Sequence, residues 1–65
     1  MKLDRIEKRT LAAATYMVYT KDTLRSTAEI FGIGKSTLYR NITEVLKTLD
    51  ENLYKQVQEV LASRH

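Results

Sequence analysis

A chain of 65 residues with 11 basic and 8 acidic side chains, no cysteine, no proline and one histidine excludes several classes at once. No thiol is present for a disulfide framework or a thiolate metal site, and a lone histidine at the C-terminus makes no zinc cluster. The net charge of +3 leans towards anionic partners, and it is concentrated: residues 1–49 carry nine basic and five acidic side chains, residues 50–65 two and three.

The size sets further bounds. A single small domain over residues 1–65 is expected, burying only about 60% of the surface its unfolded chain exposes. Such a domain leaves little room for a substrate pocket. The apolar-rich stretch Leu11–Val18 is broken by Thr15 and Tyr16 and has no small-residue cleavage site after it, so it is not a secretory signal. No apolar run approaches the ~20 residues that span a bilayer. A cytoplasmic protein without membrane attachment is expected.

Hydrophobic periodicity predicts four helices and no strand, an all-α fold. The first runs from about Leu3 to Tyr19: Leu3, Ile6, Thr10, Ala13 and Met17 recur at intervals of three and four, widened by Ala14 and Val18. Tyr16 and Tyr19, with Tyr54 farther on, are assigned to the core or its margin. A polar connection of Thr20, Lys21 and Asp22 follows. Thr23 is the expected N-cap of a short second helix whose buried side is Leu24, Thr27, Ala28 and Phe31; Ile30 falls off that face. Gly32 ends this helix as a positive-φ glycine does. Ile33 plugs the turn, and Gly34 opens a third helix reaching about Leu49, with Leu38, Ile42, Val45, Leu46 and Leu49 as its core face. Asp50 caps a fourth helix that buries Leu53, Val57, Val60 and Leu61, with Leu49 and Tyr54 as a hydrophobic staple. Two helices joined by three residues that include glycine are the signature of a helix-turn-helix.

The turn contains Gly34-Lys35-Ser36, which invites a nucleotide-binding reading. A phosphate-cradling loop needs Gly-x-x-x-x-Gly-Lys-Ser/Thr after a strand. Here the first glycine position is Glu29, a carboxylate, and the preceding residues are helical. The lysine does not serve a nucleotide.

A projection of the third helix at about 100° per residue sets its apolar residues opposite Ser36, Arg40, Thr43 and Lys47, with Thr37 and Glu44 on one flank and Tyr39 on the other. This is the composition of a surface that reads double-stranded DNA from the major groove. Arg40 can grip guanine O6 and N7 together, Ser36 can donate or accept, and Tyr39 can pack on a thymine methyl; these three are the candidate base readers. Thr23, Arg25, Lys35, Thr37, Thr43 and Lys47 are the candidate phosphate contacts, which fix register without reading sequence. Without DNA, Glu44 is expected to pair with Arg40 one turn away. Asn41 projects towards the core side and is left out of the site.

From Arg9 to about Leu53 the chain resembles the stage III sporulation protein D family of small helix-turn-helix transcription regulators. The resemblance rests on Arg9–Thr10, on Thr23-Leu24-Arg25 and on the run FGIGKSTLYRNITEVL at Phe31–Leu46. The family pattern is similar to F-G-V-S-K-S-T-V-H-K-D-L-T-E. Lys35, Ser36 and Thr37 match identically; Gly34 replaces a serine cap and Tyr39 a histidine. The resemblance implies sequence-specific DNA binding that regulates genes in sporulation.

Other classes are weaker. A helical protein–protein module would use Ile30, Tyr19 and Tyr54 as its surface. The DNA-binding part of a recombinase or transposase would need a catalytic domain to go with it. An enzyme is not expected, since the chain offers no nucleophile–base pair and no internal histidine. No cofactor or metal is implied. A monomer is favoured over a dimer, because Leu53–Leu61, the segment able to form a coiled interface, is needed to cover the small core.

Overall fold

The computed structural model describes residues 4–63; Leu3, expected in the first helix, lies outside them. Four helices follow one another: α1 (Arg5–Thr20), α2 (Leu24–Phe31), α3 (residues 35–49) and α4 (Glu51–Ser63). There is no strand among the described residues. No helix among them is long and apolar enough to cross a membrane. The fold is all-α, as the periodicity predicts.

Each helix begins on a side chain or turn that satisfies its orphan N–H groups, α3 excepted. Asp4 and Glu7 form a reciprocal capping box at the start of α1: Glu7 N donates to Asp4 Oδ1 at 2.7 Å and Asp4 N to Glu7 Oε1 at 3.0 Å. The helix therefore starts two residues later than its apolar stripe suggests. Thr23 caps α2 by accepting from Ser26 N at 3.0 Å, and Asp50 caps α4 by accepting from Leu53 N at 3.0 Å. Both were expected. Lys21 closes α1 in the left-handed conformation, φ 59°, with its N–H on Met17 O.

The core is Ala13, Ala14 and Met17 of α1, Ala28 of α2, Leu38, Ile42 and Leu46 of α3, and Val57 of α4. α1 is the central element, packed against the other three. Small residues at Ala13, Ala14 and Ala28 let the helix axes approach closely. Two threonines sit fully buried among them: Thr10 donates to Ile6 O at 2.7 Å and Thr27 to Thr23 O at 2.8 Å, so neither hydroxyl is left unsatisfied.

Three expectations about burial are corrected. Ile6 is 55% exposed, because it lies in the first turn of α1, beyond the reach of the core. Tyr19 is 86% exposed and belongs neither to the core nor to its margin. Val45 and Leu49 are only half-buried, while Leu38, Ile42 and Leu46 have no exposed surface. The cause of the last is a register shift. α3 is α-helical over Lys35–Arg40, π-helical over Asn41–Val45 and α-helical again over Leu46–Leu49. At its end the Leu46 N–H reaches back five residues to Asn41 O. In an α-helix a residue four positions on overshoots a full turn by about 40°. The wider π turn removes that overshoot. Residues 38, 42 and 46 thus stack on one line, and Val45 rolls to the side.

Candidate nucleic-acid interface

The connection between α2 and α3 is built from local hydrogen bonds. Gly32 adopts φ 65°, a conformation that costs an L-residue with a Cβ and costs glycine nothing. Ile33 N then donates to Ala28 O at 2.9 Å and Gly32 N to Glu29 O at 3.2 Å, the double bond pattern of a Schellman ending. Ile33 packs against the core beneath. α2, the turn and α3 accordingly have the connectivity of a helix-turn-helix.

Gly34 stands at the N-cap of α3 in extended backbone and offers no side chain to cap it. The first N–H groups of α3 therefore open towards solvent beside Lys35, Ser36 and Thr37, all three exposed. The Ser36 and Thr37 hydroxyls make no hydrogen bond with any described residue. Arg25, Lys35 and Arg40 are exposed and form no ion pair among the described residues. The expected Arg40–Glu44 pair does not form.

Two open grooves join these residues. One is lined by Asp22, Thr23, Leu24, Arg25 and Lys35, with Leu61 and Ser63 at its far side. The other is lined by Leu24, Lys35, Ser36 and Tyr39. They share Leu24 and Lys35, so Thr23, Arg25, Lys35, Ser36 and Tyr39 lie along one continuous surface. Leu24, assigned to the core from sequence, is half-buried and forms the floor where the grooves meet. Tyr39 is 52% exposed and stands at the rim instead of shielding the core.

Asp22 organises the α1–α2 end of this surface. Its Oδ2 accepts from the Tyr16 hydroxyl at 2.7 Å and from the Ser26 hydroxyl at 2.8 Å, and its Oδ1 accepts from Thr23 N at 2.8 Å. Donation to the carboxylate, together with burial and the nearby negative charge, raises the Tyr16 pKa above its ordinary value of 10.0. Tyr16 also meets Phe31 edge to face, ring centroids 5.9 Å apart. The Thr23 oxygen is an acceptor for Ser26 N, which leaves its proton for an outside partner.

The C-terminal half of α3 departs from the expected arrangement. The π turn that stacks residues 38, 42 and 46 also turns the outer face. Thr43 and Lys47 leave the row of Ser36 and Arg40, and Glu44, expected on the flank, takes their place in it. Thr43 is half-buried, and its hydroxyl donates to Tyr39 O at 2.8 Å and Arg40 O at 3.2 Å. Its single proton is thus turned onto its own helix. Lys47 is exposed.

Comparison with known proteins accords with these features. The sequence profile of the family described as Stage III sporulation protein D matches residues 3–65. Stage III sporulation protein D of Bacillus subtilis (strain 168) is 40% identical over 58 residues, 89% of this chain and 62% of the relative. The chain thus spans less than two thirds of that relative's length. No solved structure matches it. With nearly the whole chain matched, and the matched part including the turn and the exposed start of α3, the protein belongs to the stage III sporulation protein D family.

Proposed function

We infer that this protein is a sporulation regulator that acts by sequence-specific binding of double-stranded DNA, with residues 35–48 as the recognition helix in the major groove. The observation that carries this reading is the continuous outer surface around the turn. There Arg25 and Lys35 present cationic groups that pair with no described residue, next to the uncapped start of α3, and Arg40 stands exposed and likewise unpaired among the described residues farther along that helix. Charge without a partner, at one end of a helix whose other face is core, suits a polyanion.

In this reading Arg40, Ser36 and Tyr39 meet base edges, and Thr23, Arg25, Lys35 and Thr37 hold phosphates on either side. Lys47 contacts a phosphate only from the flank, and Thr43 would do so only if its hydroxyl rotated away from Tyr39 O. The protein acts as one domain in the cytoplasm and catalyses no reaction. It binds as a monomer, a reading supported by α4: Val57 is fully buried and Val60 3% exposed, and Leu53 and Leu61 pack against the chain's own core.

Selection of binding sites from a random duplex pool at near-physiological salt tests the proposal. An asymmetric enriched motif is expected. A palindromic motif would replace the monomer by a dimer, and no enrichment would overturn sequence-specific binding.

A further inference from the structure

The geometry points to Glu44 as a base-reading residue, set in line with Arg40 by the π turn, and to Thr43 as the residue that positions it. This rests on the reading that the outer face of α3 enters the major groove.

Glu44 lies two residues after Ile42 and two before Leu46, both without exposed surface. It therefore projects from the side of the helix opposite the line that residues 38, 42 and 46 draw through the core. Arg40 bears the same relation to Leu38 and Ile42. Both side chains are exposed, and the carboxylate makes no ion pair or hydrogen bond with any described residue. In an uninterrupted α-helix Lys47 would stand in this row and Glu44 on the flank. The π turn exchanges them and so replaces a cation by an anion at the centre of the reading face.

An anion there has a specific consequence. On the phosphate backbone a carboxylate only repels. On the floor of the major groove it can accept from the N4 amino group of cytosine. Opposite a base pair that presents only acceptors, the same carboxylate is desolvated without a partner. Glu44 hence adds a requirement for cytosine one helical turn from the guanine that Arg40 grips.

Thr43 holds the register. The π turn begins at Asn41, directly after Tyr39 and Arg40. The Thr43 hydroxyl donates to the carbonyl oxygens of both. Without that hydroxyl the segment relaxes towards the α-helical register, in which Glu44 returns to the flank.

The experiment is selection from a random duplex pool at one salt concentration with the wild type, Glu44→Gln, Thr43→Val and Thr43→Ser. The wild type should enrich a motif in which one position prefers cytosine by on the order of tenfold or more. Glu44→Gln should exchange that preference for adenine, which a carboxamide reads, and leave the other positions unchanged. Thr43→Val should lose the cytosine preference, whereas Thr43→Ser, which keeps the hydroxyl, should retain it. An unchanged motif with Glu44→Gln overturns the assignment of Glu44. A wild-type motif with Thr43→Val, or loss with Thr43→Ser, overturns the role of Thr43. No motif with the wild type would instead defeat the DNA-reading function itself.

Discussion

The Tyr16 hydroxyl donates to Asp22 Oδ2 at 2.7 Å, tying the last turn of α1 to the residue that precedes the N-cap of α2. The bond fixes the corner from which Thr23 and Arg25 project. It also makes the corner sensitive to alkali. The Tyr16 pKa is raised above 10.0, so the neutral phenol is favoured in the folded state. The stability it contributes is fully present below pH 10.0 and is lost as pH rises through the higher folded value. Ultraviolet titration should show the Tyr16 phenol ionising late in the folded protein. Tyr16→Phe should remove that late step and flatten the alkaline loss of stability. A Tyr16 phenol that ionises no later than the ordinary 10.0 would show that the bond does not persist in solution.

The two glycines of the turn should respond to substitution with opposite signs. Gly32 has open space around it but a φ of 65°, so the obstacle to a side chain there is conformational. Gly32→Ala should cost about 1–2 kcal/mol. Gly34 has ordinary extended backbone, and a Cβ there would meet only Thr37 Oγ1, at 3.8 Å. Gly34→Ser supplies the missing cap and restricts the unfolded chain, and should gain roughly 0.5–1 kcal/mol. Urea denaturation of both variants measures the two signs directly.

The same distinction shows what could be read from sequence. The caps at Thr23 and Asp50, the ending at Gly32 and the plug at Ile33 are local chemistry, carried by residue types with one strong preference each. The structure accordingly bears them out, and with them the four-helix fold, the burial of Leu38 and the exposure of Lys35, Ser36, Thr37, Tyr39 and Arg40 around it. The capping box of Asp4 and Glu7 was equally legible but was masked by Leu3, which fits the apolar stripe. Lys21 in the left-handed region has no such signature, since lysine is not a residue that seeks it. The π turn is the larger case. A projection at about 100° per residue assumes an unbroken ladder, and one shifted residue turns everything after it. Val45 loses its place in the core for that reason while Leu46 keeps the one expected of it, and the row of Thr43 and Lys47 dissolves.

That register can be tested in the core without DNA. An unbroken α-helix would set both Val45 and Leu46 on the core face. With the π turn, Leu46 has no exposed surface and Val45 is half-buried. Leu46→Ala should then cost about 2–5 kcal/mol. That is a large share of the roughly 3–10 kcal/mol available to a chain of this length. Val45→Ala should cost about 1 kcal/mol or less, the removal of partly solvated methyl groups. Equal losses in chemical denaturation would argue for the α-helical register.

The outer face offers a second measure, through salt. Each phosphate contact that a cation makes contributes about 0.9 to the slope of log affinity against log salt concentration. Lys35 lies where both grooves meet, beside the uncapped N–H groups of α3. Lys35→Ala should weaken every duplex alike and lower the slope by about 1. Arg40→Ala should instead remove the preference at one base pair, a loss of about 1–3 kcal/mol for the preferred site, and leave random duplex nearly unaffected. Lys47, carried to the flank by the π turn, should behave unlike Lys35, with Lys47→Ala changing the slope by much less than one contact. A full unit lost with Lys47→Ala would put that lysine back on the phosphate backbone and, with it, α3 in the unshifted register.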